Sequence, residues 1–367
     1  MNWDDVQGVK AEIFEKVFEF RALPTAASAG RTLPLFAPMP GTGLHRAIVE
    51  GRKKKSRDPR DLIALGALGG GSPERKSNNV QLGIFIQKDG LRDHPIVEEA
   101  VAAAHGQARI IYTGRVRRYA NSQPAHPNAC RPLTIGASVG HHRVTAGTLG
   151  CICRHDGGGI VFLSNNHVLA DTNKASHGDI VLQPGRADGG HRTKQESHVA
   201  TLFDYVPIQF EPQSRNLVDC AFATMLKGIA YDGTVARDPR DHSNCWPVRA
   251  VPAEVLVNDT VRKIGRTTGY TQGRVTAIDV DNLVVAMVLG HGERLARFDG
   301  QIAIESTTHP FSLGGDSGSL IWTDDGSAAA LLFAGTEKGG VNGYGITYAN
   351  PIQPVLDALQ LDIHTDP

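Results

Sequence analysis

The stretch Gly314-Gly315-Asp316-Ser317-Gly318-Ser319 decides the reading of this chain, together with Ser164-Asn165-Asn166-His167-Val168 and Val218-Asp219-Cys220-Ala221 upstream of it. A serine hydroxyl is a weak nucleophile near neutral pH. It needs an imidazole to take its proton, and that imidazole needs a buried carboxylate to fix its tautomer and steady its positive charge. His167, Asp219 and Ser317 supply those three groups in that chain order, each in a distinctive local context.

The contexts suit the roles. Apolar β-formers at 151–154 and 160–163 flank a Gly-rich turn at 155–159 and predict a hairpin, so His167 sits just past a strand end. Asp219 lies in the short apolar run 216–223, which buries its carboxylate and forces it to find a donor such as the His167 ring. Glycines around Ser317 let the backbone turn tightly enough for the amides of Gly315 and Ser317 to point together at a developing oxyanion. Two further strands are expected at 319–322 and 329–334, joined by the turn Asp324-Asp325-Gly326.

Competing residues are present. His177, His191 and His198 also precede Asp219, but only His167 directly follows a strand signal. Asp204 stands before Tyr205-Val206-Pro207 and reads as a turn or surface residue, and Ser319 begins a strand where Ser317 has glycine on its far side. The serine, acid, histidine order of an α/β-hydrolase would need a base after Ser317, where only His364 remains.

From about Gly147 to Ala358 the chain resembles the trypsin-like serine proteases of the chymotrypsin double-barrel fold. SNNHV is similar to the TNNHV of high-temperature-requirement proteases, and GYGITYANPIQPVLDAL to their closing strand and helix. The stretch 263–275 resembles intracellular bacterial trypsin-like peptidases related to the plant narrow-leaf regulator, which also carry an N-terminal extension. The resemblance implies a mainly β protease domain over 130–362, a double β-barrel with a C-terminal helix. It implies His167 as general base and then acid, Asp219 as its orienter, Ser317 as acyl-forming nucleophile and the Gly315 and Ser317 amides as oxyanion hole. Asp316 matches the residue that stabilises the nucleophile loop. In zymogens of this family that aspartate pairs with an N-terminus freed by cleavage, for which Arg143-Val144 would be the site here. The segment 144–153 aligns better with the strand feeding the His167 loop, so an internal partner for Asp316 is expected. Ser319 replaces the glycine of the digestive enzymes.

By the same resemblance the floor of the primary pocket, six residues before the nucleophile, is Phe311, with Ala334, Gly335 and Thr336 on the adjoining strand. No carboxylate stands at that floor, so small or medium apolar side chains are expected rather than Lys or Arg. The implied activity is a cofactor-independent serine endopeptidase acting on protein or peptide, regulated or narrow in target, in a bacterial stress or defence pathway. The competing class is a latent or non-catalytic scaffold of the same fold that binds peptide segments by strand addition.

Composition agrees with a folded enzyme. A chain of 367 residues suffices for two or three domain-sized cores, and 41% hydrophobic with 21% charged residues is ordinary for one. Lys plus Arg equals Asp plus Glu at 38 each, so nothing in the net charge draws the protein to nucleic acid or a membrane surface. No apolar stretch approaches the ~20 residues that span a bilayer. Met1-Asn2-Trp3-Asp4-Asp5 lacks the basic start and apolar centre of a signal peptide, so the cytoplasm is the expected compartment and the five cysteines read as reduced thiols. Cys151 and Cys153 share a strand face without a second ligand pair at metal spacing, so no metal is expected; Cys220 reads as a core residue.

Residues 1–125 read as an accessory or regulatory region. Asp4 is expected to cap a helix over 4–20 with Val6, Val9, Ile13, Phe14, Val17 and Phe18 on one stripe. The favoured reading packs that stripe onto its own chain; the other has it engage a regulatory partner or a second copy. The stretch 23–78 is expected to be mobile, with the basic run 51–60 a solvated loop. A small β-α-β unit is expected over 80–118, with strands at 80–87 and 109–113 and a helix at 95–104.

Overall fold

The predicted hairpin seeds the first of two β-structures. The computed structural model describes residues 1–23, 34–39, 58–69, 79–117, 124–155, 159–241, 243–289 and 292–365. Cys151–His155 and Ile160–Ser164 pair antiparallel, and the sheet continues through Ala221–Met225, His198–Tyr205, Ile180–Leu182 and Ser138–His141 to Gly147–Thr148. Only Leu149 and Gly150 separate Gly147–Thr148 from Cys151–His155, so the sheet curls round until one bent stretch of chain serves both ends. Leu149 N–H donates to Ala137 O at 2.8 Å, and its carbonyl accepts from Gly136 N–H at 2.9 Å. Side chains alternate as a pleat requires. Ile152 and Phe162 fill the inside with Val168, Leu169, Val181 and Val199, while Cys151, Cys153, Val161 and Leu163 face a second core with Leu320, Trp322 and the C-terminal helix.

The second structure is a closed six-stranded barrel of Thr260–Gly265, Leu320–Thr323, Ser327–Gly335, Thr347–Pro351, Gln301–Glu305 and Gly269–Asp281. It closes because Thr260–Gly265 pairs on both sides, with Thr323 opposite Val261 and Arg274 opposite Thr260. The helix Ile352–Leu359 buries Ile352, Val355, Leu356 and Leu359 at helical spacing. Leu361–Ile363 then joins the first sheet beside Cys151–His155, tying the two structures together. The architecture is the expected chymotrypsin-like double β-barrel, with few helices.

The N-terminal region is spliced onto the closed barrel. The strand Gly269–Asp281 outruns its barrel partners and pairs at Ile278 and Asp281 with Ile63–Leu68, which carries Gln81–Ile86 and Ala108–Tyr112 as further strands. The helix Pro95–Ala103 makes the crossover of the expected β-α-β unit. Ile63–Leu68 corrects the expectation of mobility over 23–78: it is buried along its whole length. Residues 24–33, 40–57 and 70–78, with most of the basic run, lie outside the described residues. The first helix is Trp3–Glu12, followed by a wider turn at Ile13–Val17, and its cap is Asn2 rather than Asp4. Asn2 Oδ1 accepts from Asp5 N–H, and Asn2 N–H donates to Asp5 Oδ2, both at 2.8 Å. Val6, Ile13, Phe14 and Phe18 are buried in one core with the barrel residues Val261, Val275, Ile304 and Leu332.

A buried cation fixes that docking. The Lys10 ammonium, with a fully buried side chain, sits 2.8 Å from both Asp279 Oδ2 and Asp281 Oδ2 and donates to Asp279 O at 2.7 Å. Lys10→Met leaves two carboxylates without their counter-charge and is expected to cost about 3–5 kcal/mol, read as a lower denaturation midpoint. Adding Asp279→Asn and Asp281→Asn recovers most of the loss.

Candidate active site

His167 is placed by its neighbours. It lies in the one-turn helix Asn166–Leu169, where Val168 and Leu169 plug into the first barrel. Asn166 Nδ2 donates to Asn173 Oδ1 and Val206 O, both at 2.7 Å. Asn173 N–H returns a bond to Asn166 Oδ1 at 3.0 Å, which anchors a left-handed run of Asp171, Thr172 and Asn173 at φ 47°, 54° and 67°. Such φ values are costly for a β-branched residue like Thr172 and need this kind of external support.

Asp219 meets the ring of His167. Its Oδ2 lies 2.5 Å from His167 Nδ1 and its Oδ1 accepts from His167 N–H at 3.2 Å, with the side chains 0% and 2% exposed. The Asp219 backbone is held too: Asn165 Nδ2 donates to its carbonyl at 2.7 Å, and its N–H donates to Asn350 Oδ1 at 3.0 Å. Burial, aided by the Asp219 charge, pushes the neighbouring Cys220 thiol well up, which suits a core residue. The competing groups lie elsewhere: the rings of His177, His191 and His198 bond to Phe203 O, Thr193 Oγ1 and Arg192 O, and Asp204 is exposed.

Ser317 stands on a turn built around the buried carboxylate of Asp316. Asp316 Oδ1 accepts from the N–H groups of Thr267 and Thr268 at 2.8 and 3.1 Å; Oδ2 accepts from Leu313 N–H at 2.9 Å and Thr268 Oγ1 at 2.8 Å. The internal partner is Lys263, whose buried ammonium is 3.5 Å from Asp316 Oδ2. Burial pushes the Lys263 ammonium down, and Asp316 pulls it back. Val144 N–H is bonded within the chain to His141 O at 2.8 Å. Among the described residues, no acceptor is paired with the amide of Gly315 or of Ser317. Glycine is required on either side of Asp316-Ser317: at Gly315 (φ 101°) a Cβ would lie 2.5 Å from Thr267 Oγ1, and at Gly318 (φ 95°) 2.1 Å from Ser164 Oγ. Ser317 is thereby pressed against the strand end that leads into His167.

Residues that the sequence reading passed over hold the two barrels in register. Thr148 N–H donates to Ser317 O at 2.8 Å, its Oγ1 donates to Gly315 O at 2.8 Å and accepts from Arg266 N–H at 3.0 Å, and its carbonyl accepts from Ser164 Oγ at 2.7 Å. Arg266, under Gly315, forks onto Asp188 with bonds of 2.7 and 2.5 Å. No local motif marks these residues, because each acts on a partner far away in sequence. Ser319 Oγ donates to Asp316 O at 2.6 Å, so the residue in the glycine position closes the turn. Lys263→Met is expected to lower stability by about 3–5 kcal/mol in chemical denaturation and to reduce labelling of Ser317 by a fluorophosphonate in the folded fraction. Asp316→Asn added to it restores stability but not labelling.

Of the expected pocket residues, Ala334 and Gly335 end a buried strand and Thr336 follows it, whereas the Phe311 ring lies in the barrel core beside Ile304, 5.7 Å from the Lys263 ammonium. A carboxylate lies near the loop that follows. Glu305 Oε2 accepts from Val341 N–H at 2.7 Å and Asn342 N–H at 3.4 Å. Burial pushes the Glu305 carboxyl up against the pull of the two amides. A folded-state value above the ordinary 4.5 means the folded chain binds more protons in that window, so this contribution is full below 4.5 and is lost as pH rises through the folded value. Glu305→Gln removes it. The variant is expected to melt at least as high as the native chain at pH 8, with the gap shrinking as pH falls towards 4.

No family model and no curated protein matches the chain. Among solved structures it is similar to a glutamic-acid-specific serine protease that uses a histidine triad in substrate binding, with 18% identity and a TM-score of 0.44 over 63% of this chain and 100% of that one. It is similar also to Thermobifida fusca protease A (18%, 0.43, 65% and 100%) and Nocardiopsis protease (15%, 0.43, 64% and 100%). At these values the likeness adds nothing to the strand pairings, which define the double barrel by themselves.

Proposed function

We propose that the chain is a serine endopeptidase that works through an acyl-enzyme. Ser317 Oγ attacks the carbonyl carbon of a peptide bond while His167 takes its proton, and Asp219 steadies the imidazolium. The oxyanion of the tetrahedral intermediate receives the N–H groups of Gly315 and Ser317. The imidazolium then gives its proton to the leaving amine, and water repeats the sequence on the ester. The observation that carries this reading is the buried 2.5 Å contact between His167 Nδ1 and Asp219 Oδ2, at the strand end against which the Ser317 turn packs. The uncharged Ala334, Gly335 and Thr336 favour small or medium apolar side chains before the cleaved bond. All five cysteines are free, which suits a cytoplasmic protease of narrow target.

Labelling by a fluorophosphonate probe is expected for the native chain and absent for Ser317→Ala. Asp219→Asn is expected to lower kcat on a cleaved peptide by about 10⁴-fold while the chain stays folded. A native chain that binds peptide yet is never labelled would instead be a scaffold.

A further inference from the structure

The strand edge beside the nucleophile is occupied by the chain itself. Along Ser327–Gly335 the partner strand Leu320–Thr323 ends where the chain leaves to form the Ser317 turn. Leu332 N–H donates to Ser319 O at 3.0 Å, and Leu332 O accepts from Gly318 N–H at 2.8 Å. A register shift between Leu332 and Ala334 then brings the N–H and C=O of Gly335 round to the same edge. An extended peptide laid antiparallel on Gly335 runs, N to C, back towards Leu332 and so towards Ser317, roughly three residues of ~3.3 Å away. A substrate of the proposed endopeptidase would lie along that track.

Arg117 is on it. Arg117 N–H donates to Gly335 O at 3.1 Å, Gly335 N–H donates to Arg117 O at 3.3 Å, and the pair is antiparallel. The approach is held by other contacts. The Arg117 guanidinium donates to Glu337 Oε1 at 2.7 Å, and Arg115 pairs with Glu293. The buried Val116 donates its N–H to Gln87 Oε1 at 3.2 Å and accepts from Ala286 N–H at 3.2 Å. Further along, the N–H groups of Ala125 and His126 donate to Thr267 O at 3.0 Å and Arg266 O at 2.9 Å, next to Gly315. Arg117, and separately Ala125 and His126, thus touch the surroundings of the Ser317 turn.

We propose that this segment is a built-in competitor of substrate: Arg117 holds in cis the backbone position of an incoming peptide, and a peptide binds only by displacing it. The proposal rests on the endopeptidase reading above. Tethering gives the segment a local concentration of millimolar order, which a free peptide must overcome with contacts beyond two backbone hydrogen bonds. Regulation would follow from whatever loosens residues 113–117 from their anchors.

Full-length Arg117→Pro lacks the N–H that binds Gly335. Glu337→Arg sets two cations against each other, and Arg117→Glu with Glu337→Arg restores an ion pair in reverse. Each is assayed for KM and kcat on a fluorogenic peptide library and for Ser317 labelling by a small fluorophosphonate, which does not need the strand edge. Arg117→Pro and Glu337→Arg are expected to lower KM by about fivefold or more, with labelling unchanged and with the double swap returning KM to its native value. Normal labelling with KM unchanged or raised in both single variants overturns the proposal alone. Absence of labelling in every variant overturns the endopeptidase reading and this proposal with it.

Discussion

A fully buried carboxylate at residue 316 is the constraint on which the site depends. Removing that charge from water is expensive unless every lone pair finds a donor and a cation lies close. Three backbone amides, one hydroxyl and the Lys263 ammonium meet the demand, and they come from 263–268 and from Leu313. Satisfying Asp316 therefore shapes the turn on both sides of it. The tight conformation at Gly315 and Gly318 follows, and with it the position of Ser317 and the direction of two amides.

The same logic couples the barrels. His167 and Asp219 belong to the first structure and Ser317 to the second, so any relative slip of the two would separate the proposed base from the proposed nucleophile. Thr148 spans the boundary with both its backbone and its hydroxyl, and Asp188 reaches across to Arg266. A buried pair such as Arg266 with Asp188 adds little net stability, because desolvation offsets most of the attraction. Its contribution is geometric: a bidentate fork admits one arrangement, and that arrangement sets the guanidinium under Gly315.

The N-terminal region shows where local pattern misleads. Ile63-Ala64-Leu65-Gly66-Ala67-Leu68 has no alternation of apolar and polar residues, since Ile63, Leu65 and Ala67 face one core and Ala64 and Leu68 another. A strand covered on both faces loses the period that marks a half-exposed one. The β-α-β unit behind it was readable from its own periodicities, but its attachment was not. That attachment runs through the overlong strand Gly269–Asp281 and the Lys10 ammonium, which meet only in the folded chain.

From sequence alone came the candidates His167, Asp219 and Ser317, together with the double barrel and the internal partner to Asp316 that the resemblance implied, because each candidate is written in a few adjacent residues. Tertiary structure alone decided which cation serves Asp316, how Thr148 and Arg266 lock the barrels, and that Arg117 lies against Gly335. Those contacts join residues from tens to hundreds of positions apart, and no local preference of the chain encodes a distance in space.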